Sequence, residues 1–222
     1  FLYNIFIRAP GMGTSTARMR CPVYSDMTLL NAQSHMHARG VSYSAQVMGE
    51  APFYTNDKWE DVPVGSFGDG LQLQAGDFIE YACEYDNPGA EDIHQGPRST
   101  DEMCMLIGSY YPANPAISGC YFDPDGTDEP AFSLGAEGIG AGEATCSETM
   151  DCLQAAFPQA SMNEFDEVQD CMVDASPDVS KEASGFVGCV LHSFLTGAGN
   201  FTEVCADQIA AGLVSSLQPL GV

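Results

Sequence analysis

Phe78-Ile79-Glu80-Tyr81-Ala82-Cys83 alternates large apolar side chains with small or charged ones. That is the period of a β-strand with one face on a core and the other toward water. Tyr43-Ser44-Ala45-Gln46-Val47 repeats the pattern. Working outward from these two runs, the chain up to about Pro130 is a succession of short alternating stretches broken by Gly, Pro, Asn and Asp. This predicts a mainly β fold, an antiparallel two-sheet β-sandwich of jelly-roll-like kind. The expected strands are Leu2–Arg8, Thr14–Cys21, Leu29–Ala38, Val41–Met48, Leu71–Leu73, Phe78–Tyr85 and Met105–Tyr111.

The composition changes near Gly135. Gly135 to Gly142 is small and reads as a flexible linker, and helical signals follow it. Thr145-Cys146-Ser147-Glu148 has capping-box spacing, and Asn200 to Glu203 repeats it more weakly. Helices are expected over Ser147–Ala156, Asn163–Asp174, Val179–Thr196 and Thr202–Leu217. The predicted organisation is a sandwich over 1–134, a Gly/Ala-rich linker over 135–144 and a small Cys-rich α-helical domain over 145–222.

The 222 residues carry 7 basic and 31 acidic side chains, a formal charge of −24. Such a surface repels nucleic acid and anionic lipid; it either favours cations or simply keeps the chain dissolved. No stretch is apolar for long enough to span a membrane. Nine cysteines without a C-x-x-C pair read as disulfides, which places the protein in an oxidising setting: secreted, periplasmic or cell-surface. The odd count leaves one thiol over, or pairs it outside the chain. Pairing among Cys146, Cys152, Cys171, Cys189 and Cys205 stays open, with Cys152–Cys171 and Cys189–Cys205 as the working assignment. Phe1 to Arg8 reads at once as a strand, as expected of a processed product or a fragment.

His35-Met36-His37 carries the chemistry. On a strand, residues two apart project from one face, so two imidazoles could share an ion. Met103, in Asp101-Glu102-Met103-Cys104, would add a thioether. Imidazole suits copper, zinc, iron and nickel, whereas a thioether favours copper, above all Cu(I). The plainer alternative makes the histidines ordinary polar residues of an exposed face and puts Met103 in the core. His94 is either a hydrogen-bonding supporter of the site or a solvated loop histidine. Cys189 and His192 read better as a disulfide cysteine beside a surface histidine than as half of a zinc site. Asp123 to Glu129 reads as an acidic turn rather than a calcium loop, and Asn200-Phe201-Thr202 is a formal glycosylation sequon.

Taken in order, Cys21, Leu29 to Gly40 with its two histidines, Gly76-Asp77, Cys83, Asp101 to Cys104, Tyr110-Tyr111 and Cys120 resemble the C-terminal domain of the copper type II, ascorbate-dependent monooxygenases. That group contains peptidylglycine hydroxylating monooxygenase and dopamine β-hydroxylase. The resemblance covers a little over half the chain. It implies a sandwich whose His35, His37 and Met103 bind the copper at which dioxygen is activated, and disulfides Cys21–Cys120 and Cys83–Cys104. It implies hydroxylation of an aliphatic C–H with ascorbate or another one-electron donor. It also implies a partner, the histidine-rich N-terminal copper domain. Besides His35 and His37 the chain has only His94 and His192, too few for that second site.

Peptide-hydroxylating members of the family hold a substrate carboxylate with an arginine, an asparagine and a tyrosine. At those positions this chain has Gln33, Met105 and Ile107, which cannot replace a guanidinium clamp. Glycine-extended peptides are therefore not the expected substrate. The rival expectation is a non-catalytic extracellular structural module that assembles with itself through an edge strand at Phe1–Arg8 or an unpaired cysteine.

Overall fold

The computed structural model describes residues 1–114, 117–118, 120–122, 136–160 and 165–196. The strands are β1 (Leu2–Asn4), β2 (Arg8–Ala9), β3 (Gly13–Pro22), β4 (Met27–His35), β5 (Gly40–Val47), β6 (Tyr54–Asn56), β7 (Gly65–Leu73), β8 (Phe78–Asn87), β9 (Ile93–His94), β10 (Cys104–Ile107) and β11 (Tyr110–Tyr111), and alternation is clearest in β3, β4, β5 and β8. A short hairpin, β12 (Ile117–Ser118) with β13 (Tyr121–Phe122), follows. The protein is mainly β, its sheets are antiparallel, and a few helices come last.

One sheet has the order β3-β8-β5-β6; in the other, β1-β10-β4-β11 are joined by β7, which also pairs with β4. The alternating runs Phe78–Cys83 and Tyr43–Val47 lie at the centre of the first sheet. Ile79, Tyr81, Cys83 and Tyr85 of β8 are buried, as are Tyr43, Ala45 and Val47 of β5. Tyr43 stacks on Tyr81 with ring centres 6.2 Å apart and meets Tyr54 edge-on at 5.9 Å, so aromatic area dominates this half of the core. The disulfide Cys83–Cys104 ties β8 to β10, one sheet to the other, and Cys21–Cys120 is also formed. Both are the pairs the family resemblance implies.

The expected strand Leu2–Arg8 is split. β1 pairs with β10 and β2 with β9, and Ile5, Phe6 and Ile7 between them are all buried. Asn4 causes the break. Its buried amide accepts the Phe6 N–H at 2.9 Å and donates to the Arg18 carbonyl at 3.2 Å, so a side chain takes the place of a ladder bond. β7 is longer than the expected Leu71–Leu73. Its polar, glycine-rich sequence hides a strand in which Gly70 adopts φ +90° over Thr28, where a Cβ would lie 2.1 Å from a methyl carbon.

Helix α1 (Cys146–Ala156) starts at the expected capping box: Thr145 Oγ1 accepts from the Glu148 N–H, and the Thr145 N–H donates to Glu148. Helix α2 (Asp166–Asp174) is bridged to α1 by Cys152–Cys171. Helix α3 (Ser180–Thr196) packs Phe186 edge-on against Phe157 at 5.6 Å. Cys146 is a buried thiol. Cys189 is disulfide-bonded, while its expected partner Cys205 and the expected helix Thr202–Leu217 lie outside the described residues. No helix among the described residues is long and apolar enough to cross a membrane.

The Gly/Ala stretch is not slack where it is described. Ala136 and Ile139 are buried, and Ala141, Gly142 and Ala144 donate main-chain hydrogen bonds to Val173, Ala175 and Asp174. Its glycines serve close approach: a Cβ on Gly140 would sit 2.0 Å from the Ala175 carbonyl oxygen. Backbone contact this tight needs hydrogen in place of a side chain.

Candidate metal centre

On β4, Ala32, Ser34 and Met36 point into the core while Gln33, His35 and His37 are half-buried on the opposite face. β4 ends at His35 and His37 lies just beyond it, at the start of a turn closed by the Gly40 N–H on the His37 carbonyl (3.0 Å). The His35 and His37 rings face each other edge-on with centres 5.3 Å apart. Two imidazoles binding one tetrahedral ion at about 2.0–2.1 Å would have centres roughly 5 Å apart, so the separation fits a shared ion.

His37 is held from behind. Its Nδ1 lies 2.9 Å from the Asp101 main-chain carbonyl. A carbonyl only accepts, so Nδ1 carries the proton and Nε2 keeps its lone pair for a ligand. Burial, helped by the neighbouring His37, lowers the His35 pKa. His35 therefore stays neutral, the form that binds metal, to lower pH than a free histidine does.

A carboxylate that the sequence reading did not single out joins the two halves of the site. Glu102 is fully buried. It accepts the His37 N–H at 3.1 Å and the Arg39 N–H at 2.9 Å, with the Arg39 guanidinium at 3.7 Å. Burial raises its pKa, and the two N–H bonds and the charges of His37 and Arg39 offset that only in part. Glu102 thus fastens the turn carrying His37 to the segment carrying Met103. The signal in the sequence was an acidic residue directly before the candidate ligand, and it reads equally well as surface.

Met103 is half-buried and is not among the side chains of the core or those packed on it. Its carbonyl accepts the Tyr85 hydroxyl at 2.8 Å, and the next residue is the disulfide-bonded Cys104. Register sets Met105 opposite His35 and Ile107 opposite Gln33, and the ladder ends there, with His37 and Met103 just beyond it on the two strands. The Gln33 amide donates to the Val62 carbonyl at 3.1 Å.

His94 neither lies in a solvated loop nor turns its ring to these histidines. It belongs to β9, with Nε2 2.9 Å from Asp170 and Nδ1 3.6 Å from Asp166 of α2. Its main chain does touch the site segment, since its carbonyl accepts the Glu102 N–H at 3.0 Å. Cys189, being in a disulfide, is no zinc ligand. The His192 side chain, Asp123 to Glu129 and Asn200 to Thr202 lie outside the described residues.

No cluster of three or more His, Cys, Asp or Glu side chains able to hold a metal occurs among the described residues. Compared with models of protein families and with curated proteins, the chain matches none.

Proposed function

We propose that this protein is a copper-binding module, with His35, His37 and Met103 as its ligands. The observation that carries the reading is the pair of imidazoles at 5.3 Å whose second member has Nδ1 fixed on the Asp101 carbonyl. Support for the third ligand comes from the anchoring of Met103 through Tyr85 and Cys104. Bound copper would supply one-electron chemistry toward dioxygen, with ascorbate or a similar donor as reductant, as in the monooxygenases the sequence resembles. The chain's own residues orient the ligands and keep His35 neutral. An aliphatic hydroxylation would further need a histidine-rich partner domain, because His94 is committed to α2. Disulfides agree with a secreted or periplasmic setting.

Titration with Cu(I) against a chromophoric chelator tests the reading. One ion per chain should bind, with His37→Ala abolishing binding and Met103→Leu weakening it. Unchanged binding in His37→Ala would overturn it. Oxygen uptake by the copper-loaded chain with ascorbate and a histidine-rich partner separates the enzyme from the second reading, a non-catalytic surface module. That second reading is favoured by the loss of the carboxylate clamp at Gln33, Met105 and Ile107 and by the position of β1 at the end of its sheet.

A further inference from the structure

The row opposite the histidines holds more sulfur than the family pattern asks for. Cys104 and Leu106 of β10 are buried, whereas Met103, Met105 and Ile107 between and beside them are not. Neither methionine belongs to the hydrophobic core or to the partly buried side chains packed on it. Methionine is normally spent on filling apolar space, so two half-buried, unpacked thioethers on one face call for another role. Register pairs Met105 directly with His35, and side chains in that relation on an antiparallel ladder stand about 4.5–5.5 Å apart at Cβ.

The geometry points to Met105 as a second sulfur ligand, so that this face binds Cu(I) through His35, His37, Met103 and Met105. The inference rests on the copper reading above and extends it. Two imidazoles and two thioethers complete a four-coordinate set around a soft monovalent ion without water, carboxylate or thiolate. Such a site stabilises Cu(I) over Cu(II) and leaves no open position for dioxygen, so it sides with the non-catalytic reading and suits a protein that holds or hands over copper. The residue at this point therefore does more than remove a substrate clamp: it substitutes a donor for it. Binding needs no change of oxidation state, since the ion enters and leaves as Cu(I).

Methionine methyl groups labelled with carbon-13 report this directly, because Cu(I) is diamagnetic and all 10 methionines stay visible by NMR. On addition of Cu(I) as its bicinchoninate complex, two methyl signals should shift, those missing from the spectra of Met103→Leu and Met105→Leu. The conservative Met105→Leu change should weaken Cu(I) by roughly tenfold or more, at least what loss of a supporting partner costs a metal site, with the fold intact by circular dichroism. A shift confined to Met103, or a Met105→Leu chain that binds as tightly as the parent, would overturn the inference and leave the three-ligand site standing. If the parent chain takes up no copper at all, the reading beneath it fails as well.

Discussion

The sandwich and the helical region are stabilised by different means. In the sandwich, long antiparallel ladders and the buried tyrosines Tyr43, Tyr81 and Tyr85 remove large apolar surfaces from water. The helices are short, their buried residues include Leu153, Met172, Phe186 and Val187, and α1 is clipped to α2 by Cys152–Cys171. Between the two regions part of the contact is polar. Arg8 reaches Asp170 at 3.3 Å and binds Asp174, His94 binds Asp170, and Gln95 exchanges two hydrogen bonds with Gln169. One hydrophobic cluster runs through both regions; what sets the helices apart is the crosslink and charged seam added to it, where the sandwich has long ladders.

Removing the crosslink should have the largest effect. Cys152→Ser with Cys171→Ser should lower the stability of the helical region by about 2–4 kcal/mol, read by urea denaturation with amide exchange. Exchange should rise in α1 and α2 while β3, β8 and β5 stay protected. Equal loss of protection in both regions would make the molecule one cooperative unit and end the comparison.

Next comes the sandwich's own weak point, the buried carboxylate. Glu102→Ala orphans the His37 and Arg39 N–H groups and should destabilise by about 1–3 kcal/mol. It should also weaken copper by roughly 10–100-fold, with α1 to α3 unaffected. Full copper affinity in that variant would remove Glu102 from the site. Gly140→Ala should cost the helical side about 1–3 kcal/mol through overpacking against Ala175. No change in melting temperature would mean the segment is slack after all.

The smallest effect is in pH. Burial alone would lower the His94 pKa, but the Asp170 hydrogen bond and the charges of Asp170, Asp166 and Asp92 outweigh it and leave it above 6.5. Asp170 is also pushed up by burial, yet the hydrogen bond and charge of His94, with Arg8, leave it below 3.8. His94 therefore adds stability that is full below pH 6.5 and fades as pH rises through its elevated value. The Asp170 contribution is present above pH 3.8 and fades as pH falls through its lowered one. With Asp170 partly exposed, the seam is worth about 1 kcal/mol or less. His94→Gln should abolish the loss of α2 protection on the alkaline side; an unchanged pH profile would show that the seam does not dock the helices.

How much of this was legible follows the same division. Strands β3, β4, β5 and β8 could be read because each buries one face and wets the other, so the core writes a period of two into the sequence. β7 could be read only at Leu71–Leu73, since Gly68 and Gly70 with positive φ break alternation before it, and the break at Asn4, a single side-chain hydrogen bond inside an apolar run, could not be read at all. Thr145 and Glu148 announced α1 because a capping box is local. His35, His37 and Met103 were readable as donors. Glu102 and the His94–Asp170 pair were not, because a carboxylate finds its partner 63 to 76 residues away, and only the fold brings the two together.

Copper K-edge X-ray absorption on the Cu(I)-loaded chain tests the central claim most directly, that two imidazoles and thioether sulfur converge on the outer face of β4 and β10. The account predicts nitrogen scattering together with a sulfur shell at roughly the 2.3 Å of a metal–sulfur bond. Light scatterers alone, or a chain that retains no copper, would contradict it.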